Sequence, residues 1–286
     1  MCDASRVHLA RALLLLAAPL ACIREPAPTP RRPSPAAPSP PPIAPAPPAP
    51  PVAPTPAPPV VDQQAAPVPV RFVVRVSGGA RPGDRLPLLV ALHGLGDSPE
   101  NFIGLYTEMG LRVRVAAAAG LDRYGDGYSW FPSRAEVPTE QWVEGIRRAA
   151  DAVVPAVRRL AQENPTCGLP IVSGFSQGGM LSYAIVARPD AGVSAALPLG
   201  GLLPRALFPE ARAVGGLLPA VYAFHGTADE RVPFAMDRAA NDAFRDAGFP
   251  AELREYPGVG HSIPPAMQAD LRRRLETLLA SSGCAP

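Results

Sequence analysis

Residues 174–180 read GFSQGGM and follow the apolar run LPIVS at 169–173. The serine at position 176 has a glycine two residues before it and another two residues after it. This G-x-S-x-G pattern is typical of a nucleophile placed at a sharp turn from a strand into a helix. The same pattern also arises by accident in turns that carry no chemistry. The rest of the chain must therefore decide between a nucleophile and an ordinary turn serine.

The N-terminal 22 residues have the pattern of a secretory signal peptide. Basic residues precede an apolar run over 12–21, which is shorter than a membrane-spanning helix requires. The run ends in PLAC, which resembles the lipobox of bacterial lipoproteins and marks Cys22 as the residue that would carry the lipid. Pro19 departs from that motif, so soluble secretion after cleavage stays open. We expect export, either as a cell-envelope lipoprotein held at a membrane by its lipid or as a secreted soluble protein.

Residues 23–69 are rich in proline, and 20 of the chain's 40 prolines lie between residues 26 and 69. The prolines alternate with Ala, Ser and Thr, so this segment has too little apolar surface to form a packed core. Its composition favours extended polyproline II, in which the 44 residues from 26 to 69 reach up to ~130 Å at about 3.1 Å per residue. We expect a disordered but stiff linker in front of a folded domain over 70–286.

The domain expected over 70–286 is electrically balanced, with 22 arginines and 22 acidic residues. This balance argues against nucleic acid as a partner, since nucleic-acid binding requires a basic surface. The chain's four histidines and scattered acids show no metal-ligand spacing, so we expect neither a metal nor another cofactor. Cys167 and Cys284 fall in this domain. Export makes a disulfide between them feasible, but their spacing does not establish one.

Strand and helix patterns alternate along this domain. Short apolar runs typical of buried strands lie at 71–77, 86–94, 112–120, 169–175, 193–201, 219–226 and 251–258. Helices are predicted between and after them, at 139–163, 177–188, 234–247 and 264–281, with a kink or an early end at Pro155. This alternation predicts an α/β fold with a mostly parallel central sheet that helices cover on both faces.

Residues able to do chemistry follow several predicted strands, at the sheet edge where ligands bind in such folds. Ser176 follows the fourth strand, Asp229 the sixth and His261 the seventh. This order is that of a nucleophile-elbow triad, in which the aspartate orients the histidine and the histidine activates the serine. The loop HGLGD at 93–97 follows the second strand. The backbone N–H groups of its Leu95 and of Gln177 would form an oxyanion hole.

Each of these residues also has a plainer interpretation. The serine fits a simple turn, the aspartate fits a cap near the helix predicted at 234, and the histidine fits an exposed loop. Glu230 is a competing acid. His93 and His225 precede glycines at strand ends and are expected to be buried histidines that hydrogen-bond to loop backbone. The triad is preferred, because coincidence would have to reproduce both the order and the placement of its members.

Five segments in order resemble the carboxylesterase, phospholipase and acyl-protein thioesterase branch of the α/β-hydrolase superfamily: LVALHGLGDSPENF, SWF, GFSQGGMLSY, FHGTADERVP and GVGHS. The resemblance covers nearly all of 70–286 and implies an α/β-hydrolase fold with the triad and the oxyanion donors named above. It also places Trp130 and Phe131 beside an acyl pocket, although a core position fits Trp130 equally well. We expect little or no lid, with only the apolar loop 202–217 placed to line or partly cover the site.

Pattern and resemblance together imply a serine hydrolase that cleaves small or medium carboxylic esters or thioesters through an acyl-enzyme. The same triad also suits a secreted esterase acting on polyesters or polysaccharide esters. A tethered binding domain that kept the fold without activity is the alternative outside catalysis. The expected partners are thus a small-molecule or polymer-borne ester and, through the lipid, a membrane.

Overall fold

The structure is a computed structural model that describes residues 69–211 and 217–284. The signal segment predicted over 1–22, with Cys22, lies outside the described residues. So does the predicted linker 23–69 apart from Pro69, as do positions 212–216 of the loop 202–217. In the described ranges, no helix combines the length and the apolar character that crossing a lipid bilayer requires.

The described residues contain nine strands, seven of which lie inside the seven predicted runs: β1 (Phe72–Val76), β2 (Leu88–Leu92), β3 (Arg114–Ala118), β4 (Asp122–Tyr124), β5 (Gly127–Ser129), β6 (Ile171–Phe175), β7 (Ala195–Leu199), β8 (Ala220–Gly226) and β9 (Ala251–Tyr256). The central sheet has the order β1-β3-β2-β6-β7-β8-β9, and β4 pairs with β5 in a separate hairpin. β1 runs antiparallel to β3, whereas the other neighbours in the sheet are parallel. The prediction of a mostly parallel sheet is confirmed.

The helices are α1 (Pro99–Phe102), α2 (Gly104–Thr107), α3 (Thr139–Glu163), α4 (Gln177–Val186), α5 (Phe234–Asp246) and α6 (Pro265–Ala280), with a short 3-10 turn at Arg205–Leu207. The last four helices match the four predicted ones to within two residues at each end. Sequence reasoning missed α1, α2, the β4–β5 hairpin and the 3-10 turn. These elements are too short for a hydrophobic period to develop.

α3 continues through Pro155 to Glu163, so an early end, one of the two outcomes expected at this proline, is wrong. A proline inside a helix leaves one backbone carbonyl, four residues earlier, without its N–H partner. Pro155 lies on the exposed side of α3, where water can hydrogen-bond to that carbonyl. Val153, Val154 and Val157 are buried on either side of the proline and hold the helix against the sheet.

Side chains on the two faces of the sheet form two hydrophobic clusters. Alternate residues of a strand point to opposite faces, and in β2 Leu88, Val90 and Leu92 belong to one cluster while Leu89 and Ala91 belong to the other. Residues of α3, α4 and α5 pack in the first cluster and residues of α1, α2 and α6 in the second. Burial on both faces explains why these strands are continuous apolar runs in the sequence.

Cys167 and Cys284 are joined by a disulfide, with their Cα atoms 5.5 Å apart. Cys167 lies just before β6, at the strand's amino end, and Cys284 lies just after α6. Since Ser176 follows the carboxyl end of β6, the disulfide and the candidate nucleophile lie at opposite edges of the sheet.

Candidate active site

Ser176 lies in the turn between β6 and α4, where its backbone is strained. Its φ is 57° and its ψ is −115°, and no other non-glycine residue of the described chain has a positive φ. Such a conformation costs on the order of 1–3 kcal/mol and persists only where the surroundings enforce it. The Ser176 N–H donates to the carbonyl of Leu199 at 2.9 Å, and its carbonyl accepts from the Met180 N–H at 2.9 Å. β7 and α4 thus hold the turn from both sides.

Two hydrogen bonds join Ser176, His261 and Asp229. Asp229 Oδ2 lies 2.7 Å from His261 Nδ1, and His261 Nε2 lies 2.9 Å from Ser176 Oγ. Because the carboxylate can only accept, Nδ1 carries the ring proton and Nε2 is left free to accept the hydroxyl proton. The arrangement is therefore that of a serine whose proton can pass to a histidine held in the required tautomer.

The Asp229 carboxylate is held from the side away from His261. Its Oδ1 accepts from the backbone N–H groups of Arg231 at 2.9 Å and Val232 at 2.8 Å, and its side chain is 1% exposed. These bonds form a turn before α5, which has no side-chain cap at its start, so Asp229 is not a helix cap. Glu230, the competing acid, is exposed. Of the two acids, the structure brings Asp229 to the histidine.

The His261 ring packs on Phe175, which immediately precedes the serine. The two ring centroids are 4.6 Å apart, with 31° between the ring planes, and the His261 side chain is 12% exposed. A mostly buried ring with an aromatic neighbour on one face has little freedom to turn. Phe175 therefore helps to keep Nε2 directed at Ser176 Oγ.

The predicted oxyanion donors lie on either side of the serine. Gln177 is the first residue of α4, where a backbone N–H has no partner within the helix, and Leu95 lies in the loop after β2. Within the described residues, neither N–H donates a hydrogen bond to another protein atom. Both residues line the same cavity as Ser176. The two free donors and the positive end of α4 favour negative charge at this position.

The Gln177 side chain fastens the segment before α3 to the nucleophile turn. Its Oε1 accepts from the Trp130 N–H at 3.1 Å, and its Nε2 donates to the Phe131 carbonyl at 2.8 Å. As a result Phe131 lines the cavity beside Ser176. Trp130 does not: of the two places expected for it, the substrate pocket is wrong and the core is confirmed. Its ring is fully buried in the core, because its indole N–H donates to the His93 carbonyl at 2.9 Å.

His93 is a buried histidine that hydrogen-bonds to loop backbone, as expected. Its Nδ1 donates to the Gly94 carbonyl at 2.7 Å, and its Nε2 accepts from the Gly120 N–H at 3.0 Å. Burial lowers the pKa of His93 below its ordinary value of 6.5. The neutral ring thus supports the loop that carries Leu95.

Ser176 opens into a cavity of about 420 Å³. Its apolar lining comes from eight side chains: Leu95, Phe131, Trp142, Phe175, Met180, Leu202, Val232 and Pro233. The sequence patterns singled out neither Trp142 nor Met180 as a site residue, and Trp142 lies on the buried face of α3. Met180 lies four residues after the serine, one turn along α4 and so on the same side of it, which is the only signal that pointed to it.

The cavity rim carries two arginines and one aspartate. The Asp97 carboxylate accepts from the Ser98 N–H at 2.7 Å and from Asn101 Nδ2 at 2.8 Å. The Arg134 guanidinium lies 5.5 Å from the centre of the Trp142 ring. In the described part of the chain, neither Arg134 nor Arg231 forms an ion pair with an acid. The rim therefore offers uncompensated positive charge next to the serine.

Within the same described ranges, no group of three or more His, Cys, Asp or Glu side chains is arranged to hold a metal ion.

Comparisons with known proteins identify relatives of this chain. A family model described as phospholipase/carboxylesterase matches residues 80–279. The acyl-protein thioesterase 1 of Debaryomyces hansenii is 24% identical over 226 residues, which cover 72% of this chain and 96% of that protein. A protein of Oryza sativa subsp. japonica named probable carboxylesterase is 35% identical over 150 residues, covering 47% of this chain and 52% of that protein.

The fold is also found among solved structures. The crystal structure of esterase PE8 matches with a TM-score of 0.63 at 24% identity, covering 74% of this chain and all of that one. Similarity at this identity shows the α/β-hydrolase fold and no more. The family model, by contrast, spans more than half of the chain and includes Ser176, Asp229 and His261. The chain therefore belongs to the phospholipase/carboxylesterase family.

Proposed function

We propose that this protein is a serine hydrolase that cleaves small or medium carboxylic esters or thioesters through an acyl-enzyme. The observation that carries the proposal is the hydrogen-bonded line from Asp229 Oδ2 through the His261 ring to Ser176 Oγ, at 2.7 and 2.9 Å. The strained turn at Ser176 and the two free N–H groups at Leu95 and Gln177 support it.

In the first half-reaction, Ser176 Oγ attacks the carbonyl carbon of the ester while His261 Nε2 takes the hydroxyl proton. The Leu95 and Gln177 N–H groups receive the oxyanion, and donors of this kind are worth roughly 3–4 kcal/mol each in the transition state. His261 then protonates the leaving alcohol or thiol as the acyl-enzyme forms. Asp229 stays ionised and stabilises the imidazolium.

In the second half-reaction, a water molecule gives its proton to His261 Nε2 and attacks the acyl carbon. The same N–H groups hold the second oxyanion, and His261 returns a proton to Ser176 Oγ as the carboxylic acid leaves. The eight apolar side chains of the cavity suit an acyl chain of short or medium length. Exposed residues at the rim, such as Leu95, leave room for a larger alcohol or thiol group outside.

The experiment is fluorophosphonate labelling of the purified protein beside Ser176→Ala and Asp229→Asn. We expect labelling to vanish in Ser176→Ala, and kcat to fall roughly 10³- to 10⁴-fold in Asp229→Asn because the histidine loses its required tautomer. A folded wild-type protein that does not label would overturn the proposal and favour a non-catalytic binding domain.

A substrate panel then defines the class of ester. p-Nitrophenyl acetate, butyrate, octanoate and palmitate measure the preferred acyl length, and a butyryl thioester measures the preference between oxygen and sulfur leaving groups. We expect the highest kcat/KM for butyrate or octanoate. Release of acetate or ferulate from polysaccharide esters, with poor turnover of the whole panel, would favour the polymer-ester alternative.

We also infer that the protein is exported and carries a lipid at Cys22. The Cys167–Cys284 disulfide supports export, since such bonds persist in oxidising compartments. Metabolic labelling with a fatty acid, in a bacterial host, compares the full chain with Cys22→Ala. Incorporation and membrane association that are lost in Cys22→Ala are expected. An unlabelled protein in the culture medium would favour soluble secretion instead.

A further inference from the structure

A second buried histidine–aspartate pair lies next to Asp229, and its histidine approaches the same Asp229 oxygen, Oδ2, that His261 bonds to. His225 ends β8, and its Nδ1 lies 2.6 Å from Asp237 Oδ2 on α5. The other oxygen of Asp237 accepts from the Tyr183 hydroxyl of α4 at 2.5 Å. All three side chains are fully buried. The proposed mechanism uses none of them, although burying ionisable groups costs free energy.

The hydrogen bonds of His225 determine where its protons lie. Its Nε2 is 2.9 Å from the Val232 carbonyl, and because a carbonyl can only accept, Nε2 carries a proton. The same nitrogen lies 3.4 Å from Asp229 Oδ2. His225 and Asp237 share one further proton between Nδ1 and Oδ2. Whichever atom holds this proton, a polar N–H of His225 points at both Val232 and the triad's acid.

Val232 connects the two sets of hydrogen bonds. Its carbonyl accepts from His225, and its N–H donates to Asp229 Oδ1 at 2.8 Å. His225 is therefore connected to Asp229 in two ways. One runs through the backbone of Val232, and the other is its own Nε2–H, which lies near Asp229 Oδ2. Tyr183, at the other end of these hydrogen bonds, lies on α4, the helix that follows Ser176. The hydrogen bonds thus connect the loop that carries Asp229 to α4.

We propose that His225, Asp237 and Tyr183 form a positioning chain. The chain keeps Asp229 where it can accept the hydrogen bond of His261, and it partly compensates the buried charge of Asp229. None of the three contacts the cavity, so they are positioning residues and not catalytic ones. The inference rests on the proposed serine-hydrolase function.

The charges around His225 support this role. The ionisable groups that face it are Asp229 from its own loop, Asp237 from α5 and, beyond Asp237, Tyr183 from α4. Burial by itself would lower the pKa of His225, but the hydrogen bond and the charge of Asp237 outweigh burial, and the pKa is raised. Burial also raises the pKa of Asp237, so both partners of this hydrogen bond hold a proton more readily than they would in water. Two carboxyl groups are thus buried around one imidazole.

Asp237→Asn tests the chain while keeping the shape of the side chain. An amide cannot share this proton, so Nδ1 of His225 stays unprotonated and His225 carries no positive charge near Asp229. We expect kcat for p-nitrophenyl butyrate to fall roughly 10- to 100-fold with KM nearly unchanged, the size of effect that misplaced reacting groups produce. The acidic limb of the kcat/KM profile should move to higher pH, because the less compensated Asp229 favours protonated His261. Tyr183→Phe should act in the same direction but less strongly.

Tyr106→Phe is the matched control. Tyr106 is also a fully buried tyrosine, and its hydroxyl donates to Ser173 Oγ at 2.8 Å, in the cluster on the opposite face of the sheet. Its removal should lower the melting temperature comparably and leave kcat and the pH profile unchanged. A wild-type kcat and acidic limb in Asp237→Asn, or an equal loss in Tyr106→Phe, would overturn the inference.

Failure of the inference differs from failure of the proposed function. Fluorophosphonate labelling of wild type is measured first, and its absence overturns both. An active wild-type enzyme with unaffected Asp237→Asn and Tyr183→Phe variants overturns the positioning chain alone.

Discussion

The backbone carbonyl of Leu92, the last residue of β2, occupies the space that a β-carbon on Gly178 would need. Gly178 is the second residue of α4, so the helix that follows Ser176 runs directly against the neighbouring strand. This close approach brings the start of α4 and the loop after β2 together. Gln177 and Leu95, the two residues proposed to hold the oxyanion, lie on those two segments.

Gly178→Ala should therefore prevent folding or lower the free energy of unfolding by more than about 4 kcal/mol, because the obstacle is backbone and cannot rotate away. Gly83→Ala is the control, since nothing lies within 4 Å of its β-carbon position and its φ is not positive. That variant should change stability by less than about 1 kcal/mol. Chemical denaturation of both measures the difference, and equal stability would contradict the prediction.

Removing the two rim arginines should reduce the preference for negatively charged esters. Arg134→Gln and Arg231→Gln are each expected to lower kcat/KM for mono-p-nitrophenyl succinate roughly two- to fivefold. The effect is small because an exposed arginine and the substrate carboxylate attract each other only weakly in water. kcat/KM for p-nitrophenyl butyrate, which has no such charge, should not change. High salt should erase the difference. Arg75→Gln, an exposed arginine on β1, is the control. Parallel losses on both esters would show that the arginines act on structure and not on substrate charge.

Removing the disulfide should destabilise the fold without changing catalysis. The bond joins residues 117 positions apart, and its loss frees a long loop in the unfolded chain. We expect Cys167→Ala with Cys284→Ala to lower the free energy of unfolding by about 2–5 kcal/mol. kcat should stay at the wild-type value, because the bond lies at the sheet edge opposite Ser176. Equal denaturation midpoints with and without a reducing agent would argue against this contribution.

Acid should destabilise the protein partly through His93. Its pKa is lowered by burial, so the unfolded chain binds the proton more readily, and stability is lost as pH falls below 6.5. His225, whose pKa is raised, acts in the opposite sense and costs stability as pH rises above 6.5. In His93→Gln, the amide oxygen can still accept from Gly120 and does not titrate.

The advantage of wild type over His93→Gln should thus be largest near pH 7.5 and shrink towards pH 5.5. Urea denaturation at several pH values measures both proteins. A difference that stays constant with pH would show that His93 does not supply this dependence.

The sequence was sufficient to find the four long helices, the strands of the central sheet and the three residues of the triad. The hydrophobic periods of strands and helices depend on residues that are close in the chain. The glycines around Ser176 indicate a turn in which β-carbons would clash with neighbouring backbone. The helix does not end at Pro155, because side chains before and after the proline pack on the sheet. A proline on the exposed face does not disturb that packing.

The two tryptophans show where sequence reasoning reached its limit. The resemblance placed Trp130 beside the pocket, with a core position fitting it equally well, and the structure has its ring in the core. Trp142 was not singled out as a site residue, yet it lines the cavity as well as packing in the core. A periodic pattern identifies the buried face of a helix but not what lies opposite it. Trp130 turns inward because its N–H meets the carbonyl of His93, a residue 37 positions away.

The order and spacing of Ser176, Asp229 and His261 were determined by the sequence, since each follows a strand whose apolar run is visible locally. The tertiary structure alone decided that Asp229 and not Glu230 meets His261, and that His225, Asp237 and Tyr183 connect next to Asp229. The physical reason is that hydrogen bonds between buried side chains depend on how β8, α4 and α5 pack. That packing is a property of the whole core and not of any local pattern.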